Sequence, residues 1–73
     1  MCLSVPARII QIDGTLARVD VLGNETETDL RLIEKPRVGD YVLIHAGFAI
    51  EKLPTAEAQQ RLDLFKELIG DDA

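Results

Sequence analysis

Two side chains in this sequence offer chemistry that no other residue duplicates: the single cysteine, Cys2, and the single histidine, His45. A cysteine thiolate is a nucleophile and a soft metal ligand, and a neutral imidazole is a proton relay and a common metal ligand. One of each cannot form a tetrahedral zinc site from Cys and His alone within a monomer, and a lone thiol forms no internal disulfide. Cys2 is small enough to permit removal of Met1, so the mature chain is expected to begin at Cys2, and the α-ammonium then beside the thiol favours the thiolate. Such a terminal thiolate can fill one open position on a metal whose other ligands come from elsewhere.

For His45 two readings stand side by side. It is either a metal ligand or relay at an exposed rim, or a structural histidine hydrogen-bonded at a sheet edge. Pro6 fixes its own φ and biases Val5 toward an extended conformation, which stiffens the approach from Cys2 to the folded domain. Other chemistries lack their parts. The glycines fall at turns and match neither phosphate-binding fingerprint, and no triad of polar residues is available, so an enzyme active site is not expected. A redox or thiol-dependent enzyme built on Cys2 would lack a resolving cysteine and a local base.

These residues need a scaffold, and the hydropathy pattern supplies one. "VPARIIQI" (5–12) and "TLARVDV" (15–21) read as strands, the second alternating Ala17, Val19 and Val21 against Leu16, Arg18 and Asp20. Asp13-Gly14 between them suits a type I′ hairpin turn, and a second turn is expected at Gly23-Asn24. "ETETDL" (25–30) gives a weak third strand with Thr26, Thr28 and Leu30 on one side. Residues 31–40 carry Pro36, Gly39 and mixed charge, and read as a connection with room for one helical turn. "YVLIHA" (41–46) and "FAIEKL" (48–53) are strands separated by Gly47, with His45 on the side of Tyr41 and Leu43. Five such short strands close economically into a small barrel, which removes their open edges.

After Pro54 a helix is expected over about 55–69, with Thr55 as its cap. Its apolar stripe of Ala58, Leu62, Phe65 and Ile69, widened by Leu68, either caps the barrel or receives a partner. The whole is one domain, residues 1–73, with the barrel over about 3–53 and the helix following.

Composition narrows the function classes. With 47% hydrophobic residues in 73, the chain reads as folded and soluble, and its longest apolar runs fall far short of the roughly 18–20 residues that cross a bilayer. Pro6 and Arg8 interrupt the apolar opening too early for a secretory signal, so a cytoplasmic location is expected. The formal net charge of −5 and the three aromatics, Tyr41, Phe48 and Phe65, speak against a nucleic-acid-binding barrel, which needs a basic groove and stacking residues.

"MCLSVP" at the start, "VGDYVLIHAGFAI" in the second half and the acidic helical tail together resemble the HypC/HupF family of nickel-iron hydrogenase maturation chaperones. The resemblance spans essentially the whole chain, and Met1, Cys2, Pro6, His45, Gly47 and Phe48 all fit its pattern. It implies a mainly β fold, a five-stranded barrel of the oligonucleotide-binding type with a C-terminal helix. It also implies two partners: a HypD-like iron–sulfur scaffold protein, and the precursor of the nickel-iron hydrogenase large subunit. On the first complex an iron atom acquires cyanide and carbon monoxide, so the cargo is an iron-cyanide-carbonyl group, with no metal held tightly by the isolated chain. By the same resemblance Cys2 is the iron ligand, His45 a second contributor, and Cys2, Pro6, His45, Gly47 and Phe48 form the partner contact.

Overall fold

Five strands and one helix follow one another in a computed structural model that describes residues 5–68. They are β1 (Ala7–Asp13), β2 (Leu16–Val21), β3 (Asn24–Asp29), β4 (Tyr41–His45), β5 (Phe48–Leu53) and α1 (Thr55–Leu68). Cys2 and Ile69, both singled out from sequence, lie outside the described residues. The strands form a closed barrel in the order β1-β2-β3-β5-β4, with β4 returning to β1. This is the mainly β, five-stranded barrel with a C-terminal helix that the sequence leads one to expect.

Closure depends on β1 serving two neighbours. Ala7 and Arg8 pair with Val42 and Tyr41 of β4, whereas the strand pairs with β2 from Arg8 to Asp13. A register shift between Ile9 and Gln11 bends the strand as it passes from one partner to the other. The β3–β5 seam is much shorter, a single parallel pairing of Asp29 with Phe48.

Alternation along the strands sorts side chains into two apolar clusters. Ala7, Ile9, Ala17, Val19, Leu30, Val42 and Ala49 fill the barrel, and Tyr41, Leu43, Leu53 and Ala58 pack outside it under the helix, joined by Leu62. β4 shows the sorting best: Val42 points in, while Tyr41 and Leu43 meet α1. The helix therefore caps the barrel wall, and Gln59 Nε2 donates to the Tyr41 hydroxyl at 2.8 Å to fix the docking. Its stripe is narrower than the periodicity predicts. Ala58 is buried, Leu62 and Phe65 are partly covered, and Leu68 is exposed.

Several boundaries differ from expectation for physical reasons. The β1–β2 turn is Gly14-Thr15, with Asp13 pairing Leu16 as the last strand residue; only Gly14 has positive φ (65°), which fits a type II′ turn rather than type I′. The β2–β3 turn is Leu22-Gly23, since Val21 pairs Asn24, and Leu22 itself takes φ 52°. Strand pairing on both flanks outweighs the local preference for Asn in the left-handed region. Residues 31–40 form turns and bends without a helical turn, pinned where Lys52 Nζ donates to the carbonyls of Glu34 and Lys35 at 3.3 Å each. At α1 the Pro54 carbonyl accepts from Ala58 N at 3.0 Å, which makes Pro54 the N-cap and moves Thr55 into the first turn.

Candidate functional site

The turn joining β4 to β5 carries most of the residues expected to meet a partner. His45 pairs with Phe48 across it, and Ala46 and Gly47 are its two central residues, with φ of 54° and 85°. Two consecutive left-handed residues define a type I′ turn, which matches the twist of the flanking strands. Gly47 takes this conformation freely. Ala46 does not, and a left-handed residue with a Cβ costs roughly 1–2 kcal/mol. Ala46→Asn, giving the Asn-Gly pair that such turns favour, is expected to stabilise the domain by about 0.5–1 kcal/mol in denaturant unfolding; a loss of stability would show that the turn is not of this type.

Strained or not, the turn is held in one place. Its Gly47 carbonyl accepts two hydrogen bonds from β3, from Asp29 N at 3.0 Å and from the Thr28 hydroxyl at 3.1 Å. Thr28 is a buried polar residue of the barrel, so its hydroxyl stabilises most when paired, and the pairing fastens the turn across the short seam. His45 emerges beside this anchor. Alternation puts it on the face of Tyr41 and Leu43, but it is exposed, and its side chain makes no hydrogen bond to any described residue. Phe48 is 37% exposed next to it.

A second layer of fixed geometry surrounds Phe48. The Arg31 Nε and Nη2 donate to Oδ2 of Asp29 at 3.1 and 2.9 Å, and the Arg31 backbone N–H donates to Oδ1 at 2.9 Å. The guanidinium carbon lies 5.7 Å from the centroid of the Phe48 ring, within cation–π range. Those side-chain hydrogen bonds, helped by the backbone one, hold the Asp29 carboxyl below the usual carboxylate value and raise Arg31. The pair is thus intact at neutral pH, and its contribution is lost only as pH falls through that lowered value.

The five residues expected to meet a partner do not all behave alike. His45, Gly47 and Phe48 come together on one exposed turn. Pro6 is fully buried where the chain enters β1, apart from that exposed turn. Because β1 runs antiparallel to β4 with Ala7 opposite Val42, Val5 and Pro6 approach along β4 from its His45 end. Cys2 lies outside the described residues. Thr28, Asp29 and Arg31 went unnoticed in the sequence as parts of this site. Alternation marked Thr28 as inward, but nothing local connects it to a carbonyl nineteen residues away.

Among the described residues, no three of His, Cys, Asp or Glu converge as a metal site, and no helix is long and apolar enough to cross a membrane. The aromatics form no stacking row, since Tyr41 is buried, Phe65 partly covered and Phe48 alone exposed.

Comparison with known proteins agrees with the pattern read from residues. Residues 1–65 match the HupF/HypC family. The hydrogenase maturation factor HypC of Escherichia coli (strain K12) is 42% identical, over 93% of this chain and 82% of that protein. That of Helicobacter hepaticus is 35% identical over 94% and 83%, and that of Rhizobium leguminosarum bv. viciae 32% identical over 100% and 99%. On a match that spans nearly its whole length, this chain belongs to the HupF/HypC family.

Proposed function

We propose that this chain is a cytoplasmic assembly factor for nickel-iron hydrogenase. With a HypD-like iron–sulfur scaffold protein it holds an iron atom that acquires cyanide and carbon monoxide, and it then accompanies the iron group to the precursor of the large subunit. The observation that carries the reading is the family match over residues 1–65, with relatives named as hydrogenase maturation factors. The role is that of a scaffold and carrier rather than a catalyst.

The iron group is cargo, and the chemistry asked of the chain is to hold it and let it go. Cys2 supplies a thiolate, a ligand that suits iron, and His45 supplies an imidazole at a second position. The His45 ring supports this, because it is exposed and spends no hydrogen bond on a described residue. The direction of β1 supports it too, since Val5 and Pro6 come in from the His45 end of β4. With the remaining ligands on the partner, the coordination sphere is divided between two proteins. Either can then leave without the whole sphere being dismantled, which is what a hand-over requires.

His45→Ala is the test of the second position. A side chain with no described hydrogen bond should cost little stability when removed, within about 0.5 kcal/mol. Iron per purified complex, measured by metal analysis, is expected to fall. Full iron loading and normal hydrogenase maturation would remove His45 from the site, and a loss of about 1–3 kcal/mol would mark it as structural instead.

A further inference from the structure

The register that closes the barrel also lines up His45 with residues that the proposed hand-over does not use. Leu16 pairs with Asp29, Asp29 with Phe48, and Phe48 with His45. These four residues therefore stand side by side on four adjacent strands, about 4.8 Å apart at each step. Their chain neighbours Ala17, Thr28 and Ala49 are buried, so alternation turns the row outward. Leu16 is 42% exposed and Phe48 37%, which leaves two large apolar side chains flanking the Asp29–Arg31 pair.

The pair itself is lopsided. The Asp29 side chain is 14% exposed and that of Arg31 62%, so the carboxylate is turned in and the cation out. Asp29 occupies the Nε and Nη2 edge of the guanidinium, and Nη1 has no acceptor among the described residues. On a chain with net charge −5, this row presents a fixed cation over an aromatic ring. Because Asp29 already holds the guanidinium, little side-chain freedom remains to be lost when a ligand binds it.

We infer that the row from His45 through Phe48 and Arg31 to Leu16 is a docking surface for a protein segment carrying a carboxylate next to a large apolar side chain. The carboxylate takes the outward N–H groups of Arg31, and the apolar side chain lies across Leu16 and Phe48. The occupant is the HypD-like partner of the proposed complex, so the inference rests on that reading and extends its contact face by two residues. Arginine beside an aromatic at the centre of such a surface is the composition that carries binding energy in protein interfaces.

Anaerobic titration calorimetry of the full chain with the purified HypD-like scaffold protein tests this, with thermal unfolding of each variant alongside. Arg31→Gln is expected to weaken binding about tenfold and flatten its dependence on salt, and Arg31→Glu to weaken it more than about a hundredfold. Arg31→Lys should retain part of the affinity, Leu16→Thr should lose roughly fivefold, and Arg61→Gln on α1, outside the row, should bind as the parent does. If Arg31→Glu unfolds, Arg31→Gln and Leu16→Thr decide the matter. Parental affinity in both of these, while His45→Ala binds poorly, overturns the docking row and leaves the proposed function standing. No binding by the parent chain overturns both.

Discussion

Cys2→Ala is expected to abolish iron loading of the complex and to reduce assembly with the HypD-like partner or the precursor by at least about a hundredfold, the scale of losing a dominant contact. The size follows from chemistry rather than area. An alanine methyl cannot coordinate iron, and no other thiol exists in the chain to replace it. As a ligand rather than a packing residue in this assignment, Cys2 should leave the unfolding free energy within about 0.5 kcal/mol of the parent when it is replaced. Both readouts matter together: lost binding in a chain that melts normally separates a ligand from a structural residue. Normal assembly and maturation with this variant would refute the assignment of Cys2.

The largest effect on the fold itself is expected at Ile9. It is fully buried at the point where β1 passes between its two partners, and its own backbone donates to the Asp40 carbonyl and accepts from Gly39 N, each at 2.8 Å. Three of the seven buried residues in the barrel's apolar cluster, among the described residues, are alanines (Ala7, Ala17 and Ala49), so Ile9, Val19, Leu30 and Val42 supply most of its buried side-chain volume. A hydrogen-bonded barrel wall cannot fall inward to close a hole. Ile9→Ala is therefore expected to cost about 2–5 kcal/mol. A domain this small has roughly 4–11 kcal/mol in total, so Tm should fall by about 10 °C or more. Ile50→Ala, at a position 49% exposed on the β5 bulge, should change stability by only about 0.5 kcal/mol. Equal effects from the two variants would contradict the described core.

Much of this architecture is legible in the sequence because barrel strands obey a two-residue period. Ala17, Val19, Thr28 and Leu30 are buried or inward as alternation requires, and FAIEKL is a strand over the expected residues. The turns shifted by one residue, because pairing on both sides decides which residues are central. Local preference alone misplaced Asp13 and Asn24, and it gave no hint that Leu22 and Ala46 would accept positive φ. The site was legible in part. His45, Gly47 and Phe48 fall within four consecutive residues, so a motif exposes them. Thr28 and Arg31 join them through the β3–β5 seam, a parallel contact between distant segments that no local window records. Pro6 is marked by its residue type, but type does not reveal burial.

The central claim, that the chain carries an iron-cyanide-carbonyl group with a HypD-like partner, is tested most directly by anaerobic affinity capture of the tagged chain from its native cells. Eluted proteins would be identified by mass, iron quantified, and cyanide and carbonyl ligands sought by infrared spectroscopy. An iron–sulfur scaffold protein and the large-subunit precursor are expected to co-elute with iron bearing both diatomic ligands. The Cys2→Ala chain from the same cells should bring down neither that iron nor its partner. Capture of the parent chain without iron and without either protein, from cells actively assembling nickel-iron hydrogenase, would contradict it.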